Sequence, residues 1–291
     1  MTKSLIVTAV LALIAGATAP ALFAAPGCTN ADLLGVYGMM APGNILVAPG
    51  FPAQLLGPFA RVGQVVADGR GNISVANTAS YNGIIITESY NGTYTVSSDC
   101  SVDIQPIVGL PLGPGGSLVP VPFEFKGAIA DNGARVAVVL CGLAAPCFAA
   151  PTGNVIRVLL TRNSLFPVRC NDENLSGAFQ LDMSGTVVSG PVPGPFARDG
   201  RLAFDGHGGF TGQTVADYSG FFIQPETISG TYSVDSRCNI SLSYTAGTVH
   251  TWTGTLTELS NGADLIVSES GVVIYGTLKK QHPALFPFGD Q

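Results

Sequence analysis

The chain has 291 residues, 46% of them hydrophobic and only 11% charged, with a formal net charge of −6. Disorder is excluded, since it needs low hydrophobicity and high charge, and nucleic acid is excluded as a partner, since no basic run is present to release counterions from phosphate. The length allows two domains, each able to bury a core.

Residues 1–25 read as an export signal: Lys3 opens it, residues 5–15 form an apolar stretch too short to span a membrane, and residues 19–25 are small. Cleavage is expected near Ala24 or Ala25. The mature chain is expected outside the cytoplasm, secreted, periplasmic or at the cell surface. Cys28 follows Gly27, but the preceding residues lack a lipobox, so lipidation is set aside.

Residues 57–71, GPFARVGQVVADGRG, return as residues 194–208, GPFARDGRLAFDGHG, with nine of fifteen positions identical. That match sets the frame, because internal periodicity marks a repeated supersecondary unit. The first repeat opens at Cys28 (CTNADLLGVY) and the second at Cys170 (CNDENLSGAF). Each has a DGxG turn (68–71 and 205–208), a GTYxV segment ending at Cys100 or Cys238, an NGA turn (132–134 and 261–263) and a closing LFP (165–167 and 285–287). The repeats are set at 28–167 and 170–287.

Alternation dominates both repeats. Phe196, Arg198, Gly200, Leu202 and Phe204 fall on one face of a strand, and polar or small residues on the other. About eight antiparallel strands per repeat, with no helix after the signal, predict an all-β chain of two tandem up-and-down β-barrels. A two-sheet β-sandwich satisfies the same strand count. The outward rows are polar in the second repeat, the reverse of an outer-membrane barrel. Residues 41–56, 108–121 and 141–153 of the first repeat are long apolar insertions. They are expected to pack on the other repeat, to meet a ligand, or to mediate self-association.

Six cysteines allow fifteen pairings, but the repeat selects Cys28–Cys100 and Cys170–Cys238, leaving Cys141–Cys147 as a loop clip. No CxxC pair is present and no histidine lies near the cysteines in sequence, which disfavours redox and metal chemistry.

The same alternation turns Arg61 and Arg198 inward beside Phe59 and Phe196. It turns Tyr94 and Tyr232 inward too, and puts His250 and Trp252 on one face where the first repeat has Phe123 and Phe125. A buried guanidinium must be paired. One reading has each arginine bonded to carbonyls or a tyrosine as a barrel plug. The other has Arg198, Tyr232, His250, Trp252 and Phe179, with Arg61 and Tyr94 in the first repeat, lining sites for a small, mostly apolar ligand, chiefly in the second repeat. Of the remaining histidines, His207 lies in a turn and His282 in the tail; Glu258 is too far along its strand to meet His250 readily. No nucleophile elbow, phosphate-binding loop or metal-ligand set is present, and each DGxG turn has too few carboxylates for calcium. No cofactor, metal or catalytic residue is therefore expected. A structural or adhesive envelope protein is the alternative function, and a cofactor-free isomerase or cyclase using Arg198, Tyr232 and His250 the third.

Gly35-Val36-Tyr37 and Gly177-Ala178-Phe179 resemble the Gly-x-Trp start of lipocalins, and an inward arginine near a barrel end is similar to lipocalin construction. No Trp follows either glycine, and the arginine comes from the second strand rather than the last. The GTYxV-x-x-x-C segment resembles secreted barrel proteins of environmental bacteria. The resemblance implies a calycin-like barrel and binding of an apolar small molecule.

Overall fold

The computed structural model describes residues 27–46, 51–110, 119–143, 147, 153–246 and 248–281. The export signal, His282, the LFP at 285–287 and parts of the three apolar insertions lie outside the described residues.

Strands β1 (Gly35–Met40), β2 (Gly43–Ile45), β3 (Gly57–Ala67), β4 (Asn72–Tyr81), β5 (Ile84–Val96), β6 (Ser101–Leu110), β7 (Val119–Ala130), β8 (Arg135–Leu143) and β9 (Asn154–Ser164) build the first barrel. Each pairs antiparallel with its neighbours, and β1 closes the ring between β3 and β9. The short β2 continues β1 along the same two partners, so eight staves form the wall. The second barrel comprises β10 (Ser176–Val187), β11 (Gly194–Asp205), β12 (Gly209–Tyr218), β13 (Phe221–Val234), β14 (Asn239–Ala246), β15 (Thr248–Thr257), β16 (Gly262–Val267) and β17 (Val272–Lys280). They run in chain order and close through β10–β17. Closure removes the unpaired edges that an open sandwich would leave.

The inward rows are apolar, as alternation requires. Phe179, Leu181, Leu202, Ile228, Ile240, Leu256 and Leu265 are fully buried in the second barrel, and Tyr37 in the first. Both DGxG segments are hairpin turns capped by their own aspartates. Asp68 accepts the N–H groups of Arg70 and Asn72 at 2.7 and 2.9 Å, and Asp205 those of His207 and Gly209 at the same distances. The turn before the next strand has the same conformation in both halves, three successive residues of positive φ, but they are Asp131, Asn132 and Gly133 in the first repeat and Glu258, Leu259 and Ser260 in the second, where NGA begins only after the turn.

One end of each barrel is sealed by the segment ahead of its first strand. Tyr94 donates its hydroxyl to the Asn30 carbonyl at 3.0 Å, and the Val96 N–H meets Asn30 Oδ1 at 2.7 Å. In the second barrel Tyr232 bonds the Leu175 carbonyl at 2.8 Å and Val234 N–H bonds Asp172 Oδ1 at 2.7 Å. Disulfides Cys28–Cys100 and Cys170–Cys238 fasten these seals, with Cα atoms 4.9 and 5.0 Å apart, and Cys141–Cys147 clips its loop.

The barrels meet wall to wall. Met40, Ala60 and Val62 of the first pack on Ile266 and Val273 of the second. Gly38 faces Thr255, Thr257 and Asp264, leaving no room for a side chain. Ser80 Oγ donates to the Val272 carbonyl, Gly271 N–H to the Gly83 carbonyl, and Arg135 pairs with Glu258 at 3.2 Å. Among the described residues this interface is built from strand faces and hairpin turns, where the sequence pointed to the apolar insertions.

Candidate functional site

The sealed end accounts for several residues expected at a ligand site. Phe179, Phe204 and Tyr232 pack edge-on there, with ring centroids 5.5 and 5.2 Å apart. Tyr94 is held in the first barrel by its hydroxyl bond to the Asn30 carbonyl. Alternation places these side chains inside correctly, but it does not say at which end of the barrel a side chain lies. Tyr232, Phe179 and Tyr94 are therefore plug residues, and Tyr232 is not brought together with Arg198 and His250.

The last strands also supply cations to this end. Arg162 of β9 lies 5.4 Å over the Tyr37 ring and donates to its hydroxyl, while Lys280 of β17 lies 5.7 Å over Phe179. The first-strand aromatic thus pairs with a last-strand cation in both halves, a feature not read from the sequence.

Arg61 and Arg198 sit toward the opposite end, at matching positions of β3 and β11, facing Ala79 and Ala216. Both guanidiniums are buried, at 8% and 4% exposure. In the first barrel Arg61 Nη2 donates to Tyr81 Oη and to Glu88 Oε2, both at 2.6 Å, and Nη1 donates to Tyr90 Oη at 3.0 Å. Tyr81 in turn donates its hydroxyl to Glu88 Oε1 at 2.7 Å, closing a ring of charge-assisted bonds. Burial raises the Tyr81 and Tyr90 hydroxyls above the ordinary phenol range, with Arg61 pulling back only in part, so both stay protonated.

In the second barrel Tyr218 and Glu226 recur at the positions of Tyr81 and Glu88, but Ile228 stands where the first has Tyr90, and the second tyrosine, Tyr244, comes from β14. Arg198 Nη1 donates to Tyr244 Oη at 2.7 Å, but Nη2 reaches Tyr218 Oη only at 3.4 Å and Glu226 Oε2 at 3.5 Å. The Glu88 side chain is 8% exposed and that of Glu226 29%. Local strand geometry supplies the cause. Glu88 pairs with Asn77 in an unbroken β4–β5 ladder, whereas the β12–β13 register slips between Thr214 and Ala216, beside Glu226. The second repeat has one extra residue there, FFIQPE against IIITE, and Pro225 lacks the N–H to continue the ladder. A bulge re-aims its neighbours, and Glu226 stands off its arginine. The Nε of both arginines lacks a partner among the described residues, as do Asn77 Oδ1 and Thr214 Oγ1 at matching positions.

The space above the two arginines differs accordingly. In the first barrel Arg61 borders an apolar cavity of about 60 Å³ walled by residues such as Met39, Phe59, Ile104 and Phe125. That is well below the roughly 150 Å³ of a cavity that takes up benzene. In the second, a groove of about 510 Å³ opens to solvent, lined by Arg198 together with Phe196, Phe221, Tyr244, His250 and Trp252, within the size range of small-molecule sites. Tyr244 stacks on His250 at 5.1 Å and meets Trp252 edge-on at 5.0 Å. Burial pushes the Tyr244 hydroxyl up to about 12 against the pull of Arg198. Glu269 accepts the Thr251 N–H at 2.6 Å and lies 3.3 Å from His250 Nδ1.

Of the residues expected at a ligand site, Arg198, His250 and Trp252 thus line one groove and Arg61 lines the small cavity. Tyr81, Glu88, Tyr90, Tyr218, Glu226, Tyr244 and Glu269 were missed. The repeat carried a signal for some of them: Tyr81 and Tyr218 both end the strand after DGxG, and Glu88 and Glu226 both stand four residues before GTY. Glu124, Cys141 and Cys147 lie close enough to share an ion, but both sulfurs are spent in a disulfide. Among the described residues no helix is long and apolar enough to cross a membrane.

No family model and no curated protein matches the chain. A solved structure of a protein of unknown function from the DUF3598 family of Nostoc punctiforme is similar over 86% of this chain and 97% of that one, at 9% identity and a TM-score of 0.26. A superposition that loose carries no inference about function.

Proposed function

We propose that this chain is an exported tandem-barrel binding protein whose second barrel holds a small, mostly apolar ligand at its open end. The observation that carries this reading is the groove over Arg198: aromatic and aliphatic walls, with a buried guanidinium that its own acid approaches only to 3.5 Å. A buried guanidinium bordering a roomy apolar groove, with its Nη2 held only by contacts of 3.4 and 3.5 Å, favours a ligand with one polar group. The first barrel serves as the rigid partner, since its arginine is closely paired with Glu88 at 2.6 Å and its cavity is small. Three disulfides support export to an oxidising compartment, and the first-strand aromatic under a last-strand cation supports the lipocalin-like reading. Binding is favoured over turnover because Tyr232 is spent in the seal, which leaves the isomerase trio unassembled. Native mass spectrometry of the protein purified from its own host tests this. A one-to-one small-molecule adduct is expected, while a ladder of oligomers without an adduct supports the structural or adhesive reading instead.

A further inference from the structure

We propose that the ligand of the second barrel is a monocarboxylate on an apolar body, its carboxylate seated on the Nε–Nη2 edge of Arg198 in place of Glu226. This rests on the binding reading above and names the chemical class it leaves open. The first barrel is the internal control. Arg61 and Arg198 are bonded alike at Nη1, at 3.0 and 2.7 Å, each to a tyrosine. They differ at Nη2, where Arg61 has two partners at 2.6 Å and Arg198 has contacts of 3.4 and 3.5 Å. Nε and Nη2 present two parallel N–H groups, the edge of a guanidinium that matches the two oxygens of a carboxylate. Nε is unpartnered in both barrels, so the difference lies at Nη2: in the first barrel Tyr81 and Glu88 hold that end of the edge, and in the second, beside the bulge at Pro225, it has only the longer contacts.

Charge selects an anion over a neutral acceptor. A buried cation requires a close counter-charge, and Glu226, partly hydrated and 3.5 Å away, supplies a weak one. Glu269, the carboxylate that lines the groove itself, is engaged by Thr251 N–H and His250 Nδ1. With two acids near the site and a single guanidinium, a dianion such as a phosphate monoester meets more repulsion than a single negative charge. Phe196, Phe221 and Trp252 call for an apolar remainder.

Isothermal calorimetry on the full chain with 4-butylbenzoate and 4-butylbenzyl alcohol, alike but for the acid, tests this. The benzoate is expected to bind one-to-one and about tenfold more tightly, as a charge-assisted pair requires. Glu226→Gln, which removes the competing carboxylate, is expected to tighten the benzoate more than the alcohol. Arg198→Lys is expected to abolish the difference between the probes, and Glu226→Gln carries the test independently should that variant fold poorly. Equal affinities, or benzoate binding weakened by Glu226→Gln, overturn the carboxylate assignment while the apolar-ligand reading stands. Binding of neither probe overturns both.

Discussion

Arg61 and Arg198 share a register position, and their acids decide what each can do. Removing one partner from a fully buried pair leaves a charge stranded, so Glu88→Gln is expected to cost about 3–5 kcal/mol in urea unfolding. Glu226→Gln is expected to stay within about 1 kcal/mol, because that pair is longer and partly hydrated. Equal losses would show that the two sites are equally closed. Asp264 gives a pH signature. It is pressed between the barrels opposite Gly38, and burial, with the nearby charge of Glu258, pushes its carboxyl up to about 7. The folded chain therefore binds more protons there than the unfolded chain, which ionises near its ordinary 3.8. That contribution to stability is complete below the unfolded value and lost as pH rises toward 7. Asp264→Asn is expected to flatten this part of the melting-temperature profile and to raise stability at neutral pH; an unchanged profile would contradict the assignment. The arginines were legible because an inward position in an alternating strand is unambiguous. Their acids were not, because a glutamate in a Thr/Ser-rich strand reads as solvent-facing.

At the scale of single elements, the alternation that made most strands readable fails in β1 and β16. All six residues of each are buried, since one face lines a lumen and the other meets the neighbouring barrel. Nothing local to GVYGMM or GADLIV says which barrel covers the second face. The β13 bulge was within reach of a residue-by-residue comparison of the repeats, which shows one extra position ahead of Glu226. Deleting Pro225 is expected to restore the unbroken ladder seen in the first barrel and draw Glu226 onto Arg198. Benzoate binding should then fall while melting temperature holds or rises; retained binding would separate the bulge from the open edge. The paired cysteines were legible from matched spacing. Replacing Cys170 and Cys238 by serine is expected to cost about 2–5 kcal/mol and to loosen the seal first, read as faster amide exchange at Val234 than at Arg198.

Across the whole molecule, duplication explains both what was legible and what was not. It fixed two closed barrels, two seals and two buried arginines, but it favours symmetry, and function is proposed to lie in the asymmetry of one bulge and one open groove. The interface was hidden because it joins outward faces whose residues look ordinary in sequence. Gly38 is its tightest point, and Gly38→Leu is expected to pry the walls apart, so that one thermal transition becomes two; a single unchanged transition would argue against a close-packed interface. The most direct test of the account is a crystal structure of the chain grown with 4-butylbenzoate. The account predicts the ring among Phe196, Tyr244 and Trp252, the carboxylate on Arg198 Nε and Nη2, and no probe beside Arg61. A probe seated in the first barrel, or a second-barrel groove closed over by its own side chains, would contradict it.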